Sequence, residues 1–299
     1  MLILIAGITG RLGAHLVASA IARNHSIRGL GRNPQSLQQD IVSSLESFVE
    51  IQSYDDISTI DRACRGVDAI ICALSPIPKL TLDTQLLLLR AAEKAGVKIF
   101  VSSTWNYDWT RICHGDLEHY DPHIAFKRQA ELTSPISPVY FFTGIFAEYV
   151  FSQLSFPVED NQDGFGKKIT YWGSPDTMID WTSMHDAAEF TFEVLGMETV
   201  KQGTGGIFSF RSGATSPREL AATYEKVKGI KVELVCQGSE TELEETALAA
   251  RKGGNVRNYH SFLGYFIHLF TLRRSWSLQS LWECHRLQRT TLEEVVAMA

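Results

Sequence analysis

The chain has 299 residues, 44% hydrophobic and 21% charged, and carries a net charge of −6. Such a length builds one large domain or two modest ones with ample core, and the composition is that of an ordinary soluble globule. A diffuse negative charge argues against a nucleic-acid backbone as partner. Five cysteines (Cys64, Cys72, Cys113, Cys236, Cys284) show no paired spacing, as expected of reduced cytosolic thiols. The apolar opening of the chain is too short and lacks the basic leader of a signal peptide. The apolar run at 262–270 falls well short of the ~20 residues of a membrane span. A cytoplasmic protein, free of membrane and nucleic acid, is expected.

The first predicted strand, Leu2-Ile3-Leu4-Ile5-Ala6, runs directly into Gly7-Ile8-Thr9-Gly10-Arg11-Leu12-Gly13, and helical apolar spacing follows over 14–21. A continuous apolar run suits a buried parallel strand. In the Gly-x-x-Gly-x-x-Gly turn the first glycine permits a tight bend and the second a close backbone approach to a ligand. The third brings the helix near the strand, and the helix N-terminus offers free N–H groups to a phosphate. The strand-to-helix context makes this a nucleotide site.

A second strand over 26–30 ends at Gly31-Arg32-Asn33-Pro34. An NAD site places a carboxylate there for the ribose 2′-hydroxyl, whereas a 2′-phosphate calls for arginine. With the acidic position vacant, Arg32 favours NADP(H), and Arg11 is a second phosphate contact. Strand three covers 48–52. The pair Asp55-Asp56 after it either faces the adenine or caps the helix predicted over 57–64. Strand four covers 67–74, so Ala73, Leu74 and Ser75 lie at its carboxyl end beside the cofactor. A helix over 80–96 ends in a glycine, and strand five covers 97–102. This alternation predicts an α/β fold, a Rossmann-type doubly wound parallel sheet.

Strand five ends in Ser102-Ser103-Thr104-Trp105-Asn106-Tyr107-Asp108-Trp109. The helix opening at Asp121-Pro122, with Asp121 as N-cap, carries His123 and Lys127 on one face. In short-chain reductases a tyrosine and a lysine four residues later share a helix face, and a serine sits at the preceding strand end. Here the lysine is Lys127, but His123 takes the tyrosine's place. Hydride transfer to a carbonyl, imine or enone builds negative charge on a heteroatom, and a proton donor there contributes ~10²- to 10⁴-fold. Lys127, His123 and Ser103 are the candidate catalytic groups. The helix dipole and the ammonium are expected to keep His123 neutral.

The sequence resembles the NmrA-like and isoflavone-reductase-like group of atypical short-chain reductases. The matching residues are the glycine turn, Arg32-Asn33-Pro34, Phe100-Val101-Ser102-Ser103, Lys127, the stretches 142–148 and 179–188, and Ser216-Pro217-Arg218-Glu219-Leu220. The resemblance covers roughly residues 1 to 230. It implies an NADP-binding domain over 1–150, with return segments around 176–200, and a smaller α/β substrate-binding region over 151–299. Gly7, Thr9, Gly10, Arg11, Leu12, Gly13, Arg32, Ala73, Leu74, Ser75, Ser102, Lys127, Gly144 and Phe146 are the expected cofactor contacts. Family members either reduce substrates with assistance from the counterpart of Lys127 or bind the dinucleotide as sensors. The group's Pro-Ser-Glu-Phe-Gly stretch is Ser102-Ser103-Thr104-Trp105-Asn106 here, so its particular substrates do not carry over.

Aromatic residues gather in the segments expected to border the cleft: Trp105, Tyr107 and Trp109, Phe146, Tyr149 and Phe151, Phe156, Phe165, Tyr171, Trp172 and Trp181. With Thr104, the residues Trp105, Tyr107, Phe146, Tyr149 and Trp181 are the expected substrate contacts. A bulky aromatic or polycyclic secondary metabolite fits such walls. Downstream, a strand is predicted over 168–172, a helix over 184–195 headed by His185-Asp186, and a strand over 206–210. A Ser216-x-x-Glu219 capping box opens a helix to Lys228, followed by a strand over 231–236 and a helix over 241–250. His185-Asp186 lacks companions for a metal, so capping is its expected role and no metal is predicted. The basic, aromatic tail after Gly253 is expected to close the smaller region or to form a subunit contact. The reading is an NADPH-dependent reductase, with a small-molecule substrate and a homodimer or a docked protein as further company. Its alternatives are a non-catalytic NADP(H) sensor and an NADP-bound isomerase or cyclase.

Overall fold

A computed structural model describes residues 1–161, 166–283 and 287–298. In chain order its strands are β1 (Leu2–Ala6), β2 (Ser26–Gly31), β3 (Ser47–Glu50), β4 (Ala69–Cys72), β5 (Ile99–Val101), β6 (Val139–Phe142), β7 (Ile145–Phe146), β8 (Val158–Asp160), β9 (Lys167–Tyr171), β10 (Ile179–Thr182), β11 (Gly206–Ser209), β12 (Gly213–Thr215) and β13 (Val232–Cys236). The helices are α1 (Arg11–Ala22), α2 (Gln39–Ser44), α3 (Ile57–Cys64), α4 (Gln85–Ala95), α5 (Asp121–Thr133), α6 (Met184–Leu195), α7 (Glu198–Lys201), α8 (Pro217–Lys228), α9 (Glu240–Gly253), α10 (His260–Leu272) and α11 (Leu292–Met298).

Seven parallel strands form the central sheet in the order β11-β6-β5-β4-β1-β2-β3. This is the doubly wound Rossmann-type arrangement. Its inner strands are apolar on both faces because helices cover both: Ile3, Ile5 and Val101 pack with Leu16 and Phe190, and Leu4, Ile70 and Phe100 with Leu88 and Phe126. The chain returns to this sheet through α6, which packs on α1, and also through β11 beside β6, beyond the expected 176–200. Two three-stranded sheets, β12-β10-β7 and β13-β9-β8, lie outside it.

Several local expectations change. β4 stops at Cys72 because its partner β1 ends opposite, at Ala6. The predicted helix 80–96 opens as a π-helical turn over Lys79–Thr84. There the Gln85 side chain donates to the Thr81 carbonyl (2.5 Å), the acceptor that a regular α-helix would offer to the Gln85 backbone. Asp121 is not the cap of α5: Tyr120 holds that position, and Asp121 accepts from the Gly115 N–H (2.7 Å) within the first turn. Asp56 caps α3, while Asp55 pairs with Lys79. The cap of α6 is Ser183, not His185-Asp186. Asp186 is fully buried and instead ties down the C-terminal segment, accepting from the Thr290 N–H (2.7 Å) and the Ser212 hydroxyl (2.5 Å). The Ser216–Glu219 capping box forms as predicted. Among the described residues no helix is long and apolar enough to cross a membrane, and no cluster of metal-ligating side chains occurs. Cys64, Cys72, Cys113 and Cys236 are free thiols; Cys284 and Phe165 lie outside the described residues.

Candidate active site

Strand order reverses between β1 and β4, which opens a crevice at their carboxyl ends. Gly7 leaves β1 at φ +86°, and a Cβ there would land on the Ala73 carbonyl. A Cβ on Gly13 would sit 2.6 Å from the carbonyl oxygens of both Gly7 and Ile8, so α1 lies directly against the turn. No side chain caps α1 and no acidic residue occupies its first turn. Its leading N–H groups and the positive end of its dipole therefore face the crevice unclaimed, ready for an anion.

From this point a cavity of about 600 Å³ runs across the sheet edge. Gly10, Arg11 and Leu12 form one end, and the loop of Ala73, Leu74, Ser75 and Pro76 forms a side. Arg11 lies over the Tyr149 ring, 5.8 Å from its centre. Ser103 and Thr104, with Gly144 and Phe146, make the floor, and Trp105 and Tyr107 flank it. The buried Gln85 carboxamide fixes this floor by accepting from the Ser102 hydroxyl (3.0 Å) and the Ser103 N–H (2.9 Å). The Ser103 hydroxyl donates to the Leu74 carbonyl (2.9 Å), so it presents lone pairs, not a proton, to the cavity. Asn106 Oδ1 accepts from the Tyr107 N–H (2.9 Å) and the Tyr120 hydroxyl (2.6 Å).

The far wall holds His119, Tyr120 and His123, facing His260, Leu263 and Ile267 around α10. His123 is 3% exposed, and neither ring nitrogen makes a hydrogen bond within the protein. Its ring stacks on Trp109, with centroids 5.6 Å apart, and lies 6.2 Å from His119. Burial, reinforced by His119, pushes the His123 pKa down to about 3. Burial and then His260 push His119 down to about 4. Burial thus favours the neutral form of His123, and desolvation, not the expected helix dipole and Lys127 ammonium, is the chief cause.

The expected site residues separate into those the fold brings together and those it does not. Gly10, Arg11, Leu12, Ala73, Leu74, Ser75, Gly144 and Phe146 line the cavity, as do His123, Ser103, Thr104, Trp105, Tyr107 and Tyr149. Lys127 does not: one turn farther along α5, its ammonium pairs with Glu131 outside the cavity wall. Trp181 is also displaced, 2% exposed and packed under Gly213 in the core. Trp109 stands behind His123 rather than in the wall. Ser102 is wholly buried beneath the floor. Gly7 and Gly13 shape the turn without lining the cavity, and Thr9 and Arg32 lie exposed at the carboxyl ends of β1 and β2. Arg32 has no paired carboxylate among the described residues, and its charge reaches the Tyr54 phenol. Sequence reasoning missed Asn106, His119 and Tyr120, although His119 stands four residues before His123. For His260, Leu263 and Ile267 no local signal existed, because α10 reaches the cavity only through tertiary packing.

A glycine turn feeding an uncapped helix at the switch point of a doubly wound sheet defines a dinucleotide-binding α/β protein. The chain belongs to the NmrA-like family, whose model matches residues 1–248. It is 26% identical over 289 residues to a bifunctional pinoresinol-lariciresinol reductase of Linum perenne, covering 90% of this chain and 86% of the relative. Among solved structures, it superposes on AtPrR2 with NADP+ and (+)-pinoresinol with a TM-score of 0.77 at 20% identity, covering 99% of this chain and 97% of the other. It also superposes on the leucoanthocyanidin reductase–NADPH complex of Vitis vinifera with a TM-score of 0.79 at 17% identity, covering 100% and 99%.

Proposed function

We propose that the protein is an NADPH-dependent reductase that adds hydride to a C=O, C=N or activated C=C bond of a small aromatic secondary metabolite. One observation carries the reading: a single cavity joins the uncapped N-terminus of α1 to a wall that carries the buried His119 and His123 and the aromatic Trp105, Tyr107 and Tyr149. The relatives named as reductases, and the neighbour solved with NADPH, support the same assignment. The residues fit the cofactor. The first turn of α1 receives the pyrophosphate, Arg11 and Arg32 supply cationic contacts, and Arg32 stands where a 2′-phosphate belongs. Residues 1–150, with α6 returning beneath them, form the cofactor-binding part, and α10 helps to close the substrate end.

Bound NADPH supplies the hydride. The chain's own residues orient the acceptor and handle the proton. Trp105, Tyr107, Phe146 and Tyr149 provide apolar walls for an aromatic ring. Ser103 offers acceptor lone pairs toward the floor. His123, on the cavity wall, is our candidate to protonate the substrate heteroatom, because Lys127 pairs with Glu131 and does not line the cavity. The test is NADPH oxidation, followed by loss of nicotinamide absorbance, with (+)-pinoresinol and a panel of aromatic ketones, enones and imines. NADPH-specific consumption with at least one acceptor is expected. Binding of NADPH without turnover of any acceptor would overturn the reductase reading.

A further inference from the structure

We infer that a second cavity, between α1 and α11, binds a small apolar monocarboxylate, which competes with the cofactor for the Arg11 guanidinium. The competition rests on Arg11 contacting the cofactor as proposed above, whereas the site itself does not. This cavity measures about 420 Å³, within the range of small-molecule sites. Arg11 and Met184 border both it and the larger cavity, and its remaining walls are its own. Arg11 and His15 stand four residues apart on α1, so one helix face presents both side chains to it. Phe151, Met184 and Val295 supply apolar wall. The α11 wall is tied down from α8: Lys226 pairs with Glu293 (3.3 Å), and Lys228 donates to the Ala297 carbonyl (3.0 Å). Just before α11, the Thr290 N–H is held by the buried Asp186 (2.7 Å).

The donors that face this cavity are uncommitted. Among the described residues the Arg11 guanidinium makes no ion pair or hydrogen bond; it lies over the Tyr149 ring, 5.8 Å from its centre. His15 is half-buried and makes no hydrogen bond among the described residues, its ring meeting that of His185 at 6.2 Å. Unlike the His123 nitrogens, those of His15 are not sealed from solvent. Burial lowers the His15 pKa, Glu148 opposes that shift and His185 adds to it, so the ring is neutral near pH 7 and offers one N–H. Glu148 borders the same cavity without pairing with Arg11, because its carboxylate accepts from the Met184 N–H at the start of α6 (3.0 and 3.3 Å to its two oxygens). A carboxylate entering here accepts from the guanidinium fork and from the imidazole N–H. Its apolar body displaces water from Phe151, Met184 and Val295. Glu148 limits the charge: one cation opposed by one anion suits a monoanion, whereas a phosphate dianion meets repulsion that Arg11 alone does not offset. Arg11 also borders the larger cavity, beside the uncapped first turn of α1. One guanidinium shared by two anions makes their binding antagonistic, and linkage makes the effect reciprocal.

Calorimetry on the full chain tests the site with phenylpropionate, using phenylpropanol as the uncharged control, in the presence and absence of saturating NADP+. The acid is expected to bind one to one, and the alcohol at least about tenfold more weakly. Saturation with NADP+ is expected to weaken the acid by about fivefold or more. His15→Leu removes a donor and should weaken the acid about tenfold. Glu148→Gln keeps an acceptor for the Met184 N–H, removes the negative charge and should tighten the acid. Neither residue borders the larger cavity, so an acid lodged there responds to neither substitution. No binding of the acid at millimolar concentration, or an affinity within about twofold of wild type in a folded H15L protein, would overturn the site. If H15L does not fold, E148Q decides: tighter binding supports the site, and unchanged or weaker binding overturns it. Equal acid affinity with and without bound NADP+ would overturn the competition for Arg11. Failure to bind the acid leaves the reductase reading standing, whereas failure to bind NADP+ removes that reading while the titrations of the free protein still decide the site.

Discussion

Replacing His123 with phenylalanine sets stability and activity in opposition. In the folded protein His123 titrates at about 3 against an ordinary value of 6.5, chiefly because burial excludes its charge. Between those values the unfolded chain binds a proton that the folded chain does not. Stability therefore falls as pH drops, by about 1.4 kcal/mol per pH unit for each such histidine. From pH 7 to pH 5 the loss from His123 is about 2 kcal/mol. His119 and His268, each pushed down to about 4 by burial, add to it with the same sign. His123→Phe removes one of these contributions and two unsatisfied ring nitrogens, and Phe keeps the stack on Trp109. Urea unfolding at about pH 7 and about pH 5 should show the variant losing about 2 kcal/mol less than the wild type over that interval. Carboxylates common to both proteins cancel in the difference. NADPH turnover should meanwhile fall by about 10²-fold or more. Equal acid losses in the two proteins would show that His123 is solvated, and the reasoning from its burial would fail.

Arg32→Ala should erase the preference for NADPH over NADH, weakening NADPH binding by about 2–3 kcal/mol, or roughly 30- to 150-fold, with NADH affinity unchanged in calorimetry. Lys127→Ala should leave turnover within about threefold and stability within about 1 kcal/mol, because its ammonium sits in a partly exposed pair with Glu131. A loss of turnover comparable to that of His123→Phe would return the lysine to the mechanism. Gly7→Ala should destabilise by at least about 1–3 kcal/mol and weaken cofactor binding, since the new Cβ meets the Ala73 carbonyl at a positive φ. Thermal melts and NADPH fluorescence titration report the two effects separately.

The turn at the carboxyl end of β1 was legible in the sequence because its signals are local. The apolar β1 and the glycine turn that feeds α1 form where their pattern placed them, whereas Arg32 follows β2 but lies exposed and outside the cavity lining. Gly13 does what its spacing implied, bringing α1 against the turn. The substrate end was legible only in part. His123 and Lys127 share a helix face, but the extra turn places Lys127 beside Glu131 and leaves only His123 at the cavity. Trp181 has the same aromatic character as Trp105, yet β10 carries it into the core under Gly213. His260 comes from α10, more than a hundred residues beyond α5 in the chain, so only tertiary packing could show that it borders the same cavity as His119.

A crystal of the protein soaked with NADP+ tests the central assignment most directly. The account predicts density with the 2′-phosphate at Arg32, the pyrophosphate over Gly10 to Gly13, and the nicotinamide ring between Ser103 and Phe146 on the side facing His123. Density with the nicotinamide turned away from His123, or a crevice that takes up no dinucleotide at saturating concentration, would contradict it.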